Sequence, residues 1–145
     1  MVTLRPASAG DAPAAEALLN SCGLMGLDAG AQFGPQYLLA IDERSGLVGM
    51  AGVELHGAGG LLRSVAVADE GRGQGTGGRL TRDRIDWARS QGLDALYLLT
   101  TTSQAFFARH GFTRIARQDV PAAIAASYQW SSACPGSSVA MRLAL

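Results

Sequence analysis

The stretch VADEGRGQGTGGRL, residues 67–80, places five glycines in the eight positions from Gly71 to Gly78. Glycine is costly inside a helix or strand, because it loses the most backbone freedom on folding. The run therefore marks a place where the chain needs bare backbone. Upstream, LLRSVAVA reads as a strand ending at Asp69. Downstream, residues 76–91 read as a helix with Leu80, Ile85, Trp87 and Ala88 as its apolar members and Gly92 as its stop. Strand, glycine loop, helix is a setting in which backbone N–H groups bind an anion. No Cβ blocks the approach, and the helix start adds unpaired donors and a partial positive charge. Arg72 and Arg79 bracket the segment with cations, so a phosphate group is the natural guest.

The flanking sequence supplies the rest of a domain. VTLRPA predicts a first strand, and Asp11 caps a helix over APAAEALLNSCGL, with Ala15, Leu18, Leu19 and Cys22 at helical spacing. GLMGLDAGAQFGP predicts a loop. QYLLAID and LVGMAGVEL predict two strands joined by the turn ERSG, and HGAGG predicts another turn. Beyond the central helix, DALYLLT predicts a buried strand and SQAFFARHG a short helix between Ser103 and Gly111. FTRIAR predicts a strand, VPAAIAASYQW a proline-led helix and SSVAMRLAL a last strand. The order β-α-β-β-β-α-β-α-β-α-β predicts an α/β sandwich, one domain over residues 1–145. Nearly half of the chain, 48%, is hydrophobic, enough for one core. Twelve basic and twelve acidic side chains cancel, which argues against a nucleic-acid partner. The apolar runs are too short to span a bilayer, and the first residues lack the apolar core of a signal peptide. A cytoplasmic location without a membrane partner is expected, with Cys22 and Cys134 reduced.

Gly73, Gly75 and Gly78 satisfy G-x-G-x-x-G, but a dinucleotide-binding unit should end its next strand with an acid, where this chain reads LLTTT. Gly73 to Gly78 also has P-loop spacing, but Arg79-Leu80 stand where Lys and Ser/Thr would handle phosphates and Mg²⁺. Arg72-Gly73-Gln74-Gly75-Thr76-Gly77 matches R-x-x-G-x-G after a strand and at the opening of a helix. It resembles the acetyl-CoA loop of the GNAT N-acetyltransferase superfamily. FFARHGF, residues 106–112, resembles that superfamily's LYEKLGF segment at its usual distance, and the strand order matches too. The resemblance implies a mixed, mostly antiparallel central sheet with helices on both faces and a splayed pair of parallel strands. It implies acetyl-CoA as co-substrate and no metal. The pantetheine arm would lie along Val65 and Val67. The pyrophosphate would sit on the amides of Arg72, Gly73, Gln74, Gly75, Thr76, Gly77 and Gly78. The backbone from Val65 to Ala66 would polarise the acetyl carbonyl as an oxyanion hole does. GLLRSVAVA, LYLLTTTSQAFFARHGF, VPAAI and SSACPGSSVAM further resemble the small branch associated with bacterial arsenic resistance. LLTTT followed by FFARHGF resembles the acetyltransferase domain of enzymes such as N-acetylglutamate synthase. Both resemblances imply a small, amino-acid-like amine as acceptor.

Transfer to an amine requires removal of its proton. Glu54, a lone carboxylate near the end of an apolar strand, is the candidate base, with His56 next. Arg63 interrupts another apolar strand, where a buried guanidinium needs a partner. Its planar fork suits the carboxylate of an acceptor, and a structural ion pair is the alternative. Standing two residues before Val65, it is expected on that residue's face, near the acetyl end of the cofactor. Ser64, a second candidate substrate contact, is expected on the opposite face. Phe107 stands where many GNAT enzymes have a tyrosine that protonates the departing thiolate. Tyr128 is a candidate substitute, and Tyr97 reads as core. Cys134 reads as a loop residue or a wall of the substrate pocket, and His110 as a surface residue. Two other functions fit the pattern: acetylation of a protein amine, which needs an open groove beside residues 23–34, and non-catalytic sensing of acetyl-CoA. A homodimer is left open.

Overall fold

The computed structural model describes residues 1–133 and 136–145, so Cys134 lies outside the described residues. Seven strands form one sheet: β1 (Val2–Pro6), β2 (Tyr37–Asp42), β3 (Gly46–His56), β4 (Gly59–Val67), β5 (Ala95–Thr100), β6 (Thr113–Ile115) and β7 (Val139–Ala144). Their order is β1-β2-β3-β4-β5-β7-β6, with every pair antiparallel except β4–β5. Among the described residues, four α-helices pack around it: α1 (Ala12–Ser21), α2 (Thr76–Ser90), α3 (Gln104–Arg109) and α4 (Ala122–Ala125). The element order follows the sequence pattern throughout. Ala15, Leu18 and Leu19 of α1 cover one face of the sheet with Tyr37, Leu39, Met50 and Ala66. Ile124 of α4 packs against Leu61 and Tyr97. Leu80, Ile85 and Ala88 of α2 and Phe107 of α3 cover the opposite face.

Two local departures have physical causes. Asp11 does not cap α1 with its side chain. It accepts from the Ser8 amide at 2.8 Å and pairs with Arg5, and a 3₁₀ turn, Ala9–Asp11, precedes the helix. The last helix ends after one turn at Ala125 instead of running through Trp130. Trp130 instead donates its indole N–H to the Arg117 carbonyl at 2.8 Å, within a wide π-type turn, Gln129–Ala133.

The feature that shapes the site is a bulge in β4. Met50 faces Ala66, but Gly52 faces Arg63, so β4 carries one extra residue there. A bulge sets two residues against one and re-aims the side chains around it. Ser64 takes φ +57°, a left-handed conformation uncommon for a residue with a Cβ. Leu61, Arg63 and Ala66 consequently face the α1 and α4 side, whereas Leu62 and Val65 face α2. Strict alternation, which would put Arg63 on the face of Val65, is therefore broken. Ser64 is not opposite Arg63 either, because its hydroxyl accepts from the Arg63 Nε at 3.3 Å.

Candidate active site

β4 and β5 pair in parallel only at Gly59–Ala95, Gly60–Leu96 and Leu61–Tyr97. Beyond Leu61 the strands diverge and leave a cleft of about 650 Å³. Its walls include Leu62, Val65 and Val67 from β4, Leu98 and Leu99 from β5, and Phe106 and Phe107 from α3. An unpaired strand edge offers backbone donors and acceptors to whatever lies beside it. Val65 and Val67 line the cleft, while Ala66 points to the other face and packs with α1.

At one mouth stand Arg72 and Gly77. A 3₁₀ turn, Asp69–Gly71, leads into the loop, and Gly73 (φ +79°) and Gly75 (φ +74°) adopt left-handed conformations that suit glycine. Gly75 is the N-cap of α2, and its carbonyl accepts from the Arg79 amide at 3.0 Å. Among the described residues, the amides of residues 73–78 meet no intramolecular acceptor. They form a run of donors at the positive end of a 15-residue helix. A Cβ at Gly73 or Gly75 would meet nothing within 4 Å, so the glycines serve conformation and access, not packing. Thr76 is buried, with its side chain turned into the core. Arg72 folds back, donating from Nε to the Val67 carbonyl at 3.1 Å and pairing with Asp69. His110, at the end of α3, lies close to the Gly78 backbone. Burial, with Arg82 and Arg109 nearby, holds its imidazole below the ordinary pKa.

At the other mouth the wall is the segment from Gly23 to Met25, with Arg63, Ser64, Gln129 and Ser138. Arg63 is the hub of a buried polar cluster. Its Nη1 donates to Glu54 Oε2 at 2.5 Å and to Asp28 Oδ1 at 2.7 Å, its Nη2 to the Gly26 carbonyl at 3.1 Å, and its Nε to Ser64. Four of the five guanidinium N–H groups are thereby engaged. Burial opposes the Arg63 charge, and Tyr37, Glu54 and Asp28 overcome it, so its pKa lies above the ordinary arginine value. Burial also pushes the Tyr37 phenol up, against the pull of Arg63, while its hydroxyl donates to the Ala31 carbonyl at 2.7 Å. Tyr37 fits because residue 52 is glycine: a Cβ there would lie 2.2 Å from the Tyr37 ring.

Glu54 differs from the expected base. It is 1% exposed, one oxygen faces Arg63, and the other lies 2.7 Å from His56 Nε2. It is not among the residues that line the cleft. Tyr128 is exposed and is not among the residues that line the cleft. Tyr97 is core, with Arg142 Nε donating to its hydroxyl. Sequence reasoning missed Asp28, Tyr37 and Gln129, and the hydroxyls of Thr100, Thr101, Thr102 and Ser103 along the β5 side of the cleft. Only the TTTS run could have signalled any of these. The loop over residues 23–36 is tightly held as well. Glu16 accepts from the Leu27 amide, Asp28 from the Gly30 amide, and Gln32 exchanges hydrogen bonds with both backbone groups of Leu55. Among the described residues there is no cluster of three metal-ligating side chains, and no helix is long and apolar enough to cross a membrane.

A family model of the acetyltransferase (GNAT) domain matches residues 34–114, more than half of the chain. A search of curated proteins finds no match. Among solved structures, the chain resembles N-acetylglutamate synthase from Neisseria gonorrhoeae, complexed with coenzyme A and L-arginine, at 23% identity and a TM-score of 0.79. That match covers 99% of this chain but 33% of the synthase, so the chain spans about a third of that enzyme. A Mycobacterium tuberculosis protein solved in complex with CoA is similar at 24% identity and a TM-score of 0.78, covering 99% of both chains. The ribosomal-protein-S18-alanine N-acetyltransferase of Escherichia coli is similar at 19% identity and 0.74, covering 99% of this chain and 94% of that one. These likenesses establish a shared fold, with helices on both faces of a mixed sheet and one parallel pair at the cleft.

Proposed function

The chain belongs to the GNAT acetyltransferase family, and on that premise we propose that residues 1–145 form a single domain that moves acetyl from acetyl-CoA to the amine of a small, amino-acid-like acceptor. One observation carries the reading. The cleft is bordered at one mouth by Gly77, within the run of unpaired amides, and at the other by the wall from Gly23 to Met25. The amides of residues 73–78 would hold the pyrophosphate, and the edge of β4 at Val65 and Val67, where Arg72 now donates to the Val67 carbonyl, would take the pantetheine arm. The Val65 to Ala66 backbone would polarise the carbonyl. Phe107 offers no proton, so the O–H groups that line the cleft, those of Thr100 to Ser103 with Ser64 and Ser138, are the candidates to protonate the leaving sulfur.

Glu54 contributes at second hand. It fixes Arg63, and Arg63 fixes the wall through Gly26 and Asp28. The acceptor amine sheds its proton to solvent at the mouth. The narrow, tied-down wall favours a small acceptor over a protein amine. Arg63 keeps one N–H beyond those already engaged, but its side chain is fully enclosed while Asp28 and Glu54 are in place.

The test is thioester consumption against a panel of free amino acids, their decarboxylated amines, N-terminal peptides and, for the arsenic-resistance resemblance, arsenical amino-acid analogues. Turnover of free amino acids in preference to peptides is expected. Turnover of peptides alone would move the protein to the protein-acetylating class. Acetyl-CoA binding without turnover of any amine would leave a sensor.

A further inference from the structure

Arg63 holds two carboxylates on one nitrogen, and they are not equivalent. Glu54 comes from the neighbouring strand, beside the Gly52–Arg63 register pair, and is fully enclosed. Asp28 comes from a segment without regular structure, and its side chain retains 13% exposure. The three formal charges sum to minus one before His56, on the far oxygen of Glu54, is counted. Glu54 alone suffices to neutralise the guanidinium. Asp28 adds attraction to Arg63 but also repulsion from Glu54 across a single nitrogen. Asp28 also belongs to the same segment as the cleft wall, three residues from Met25, and Arg63 itself borders the cleft. The Arg63 side chain is itself fully enclosed, and of its two carboxylates only Asp28 keeps a side open to solvent, so Asp28 is the partner whose departure would uncover the guanidinium.

We propose that Asp28 is an internal stand-in for the acceptor's carboxylate: it occupies an exchangeable position on Arg63 and yields it to an amino acid. This rests on the acetyl-transfer reading above and deepens it, since it assigns the α-carboxylate a defined place and the acceptor class a defined cost. Glu54 stays on Arg63 throughout, so the guanidinium remains charged and oriented while its outer partner changes. Exchange conserves the ion pairing, one carboxylate for another, which is why a carboxylate-bearing acceptor can open the position and a bare amine cannot. Release of Asp28 removes one tie on that segment, while Glu16 still holds Leu27 and Arg63 Nη2 still holds the Gly26 carbonyl.

The experiment compares kcat/KM for free L-amino acids with that for the amines left when the α-carboxylate is removed, in wild type and in Asp28→Asn. Asn is isosteric and can still accept from the Gly30 amide, but it carries no charge to hold the guanidinium. If Asp28 is a stand-in, its loss removes a competitor. The acid-to-amine ratio should rise about tenfold, through a lower KM for the acids with kcat little changed. Asp28→Gly should move the ratio in the same direction, which covers the case of an Asn that still lies against Arg63. Circular dichroism and thermal melting establish that both variants are folded. A ratio that stays the same or falls, with KM rising for acids and amines alike, would make Asp28 a fixed staple and overturn the proposal. Absence of turnover for every amine in wild type is a different result. It would overturn the acetyl-transfer reading, and the exchange with it.

Discussion

At one end of the β4–β5 cleft, the amides of residues 73–78 form an unpaired run within a single loop. At the other, one guanidinium gathers Asp28 and Gly26 from a loop, Glu54 from the adjacent strand and Ser64 from its own bulge. The first end is backbone, exposed and local. The second is side chain, buried and assembled across separations of up to 37 residues. The two should therefore fail differently when altered: the loop end by losing its ligand with the fold intact, the arginine end by losing the fold's own support.

The largest effect is expected at the arginine. Arg63→Ala strands Glu54 as a buried carboxylate with no cationic partner except a protonated His56, and breaking a buried pair in this way costs roughly 3–5 kcal/mol. Urea denaturation should show that loss. A cost below about 1 kcal/mol would place the cluster among exposed, weakly coupled ion pairs and remove the asymmetry between the two ends. Arg63→Lys should recover only part of the stability, because one ammonium cannot serve Glu54, Asp28 and the Gly26 carbonyl in the same fork geometry.

Gly75→Glu sets the opposite pattern. The left-handed conformation at φ +74° costs a residue with a Cβ about 1–2 kcal/mol of stability, and open space surrounds the site. The loss in acetyl-CoA affinity should be larger, roughly 2–4 kcal/mol, because a carboxylate would face the pyrophosphate on top of the altered backbone. Calorimetry on the folded variant reads it directly. Unchanged affinity would detach the glycine loop from the cofactor.

How each end was built decided how far it could be read from sequence. The glycine loop was legible because it is contiguous: strand, left-handed glycines and helix start all lie between residues 59 and 90. Arg63 was conspicuous for the same local reason, one charge in an apolar run. Its partners were not, because nothing near Asp28 says that a β4 arginine will find it. The face of Arg63 was misread because a bulge is a one-residue event without a signature here. Ser64 in a left-handed conformation sits where glycine would have announced it. Glu54 was singled out as unusual in its strand, and it is, but as the counter-ion of Arg63. The single-turn α4 also escaped the pattern, since an alanine-rich, proline-led run favours a longer helix until Trp130 finds the Arg117 carbonyl.

Glu54→Gln sharpens the comparison further. Acting through Arg63, the variant should lose activity by roughly tenfold to hundredfold, the worth of a charged hydrogen bond. The factor should stay the same from neutral to alkaline pH. A base in contact with the amine would behave otherwise: the loss would fade at high pH, where free amine is abundant. A pH–rate profile of the variant over that of wild type distinguishes the two. A ratio that returns to one at high pH would restore Glu54 as the base.

The smallest effect is expected back at the loop end, at His110. Its imidazole is held below its ordinary pKa by burial first and then by Arg82 and Arg109, and it lies beside the Gly78 backbone where α2 begins. An anion seated on the loop amides would offset those two arginines and favour the protonated ring. Binding of acetyl-CoA should then raise the His110 pKa and take up a fraction of a proton. The sign follows from linkage: a group whose pKa is higher in the complex strengthens binding as pH falls, and that gain is absent once the pH exceeds both values. A rise of half a unit corresponds to at most about threefold in affinity. Titrating the ring resonance of His110 by NMR with and without coenzyme A measures the shift itself, and calorimetry in buffers of different ionisation heat measures the proton uptake. A downward shift would mean that the bound phosphates lie away from α3, and that the arginines beside His110 serve the helix rather than the ligand.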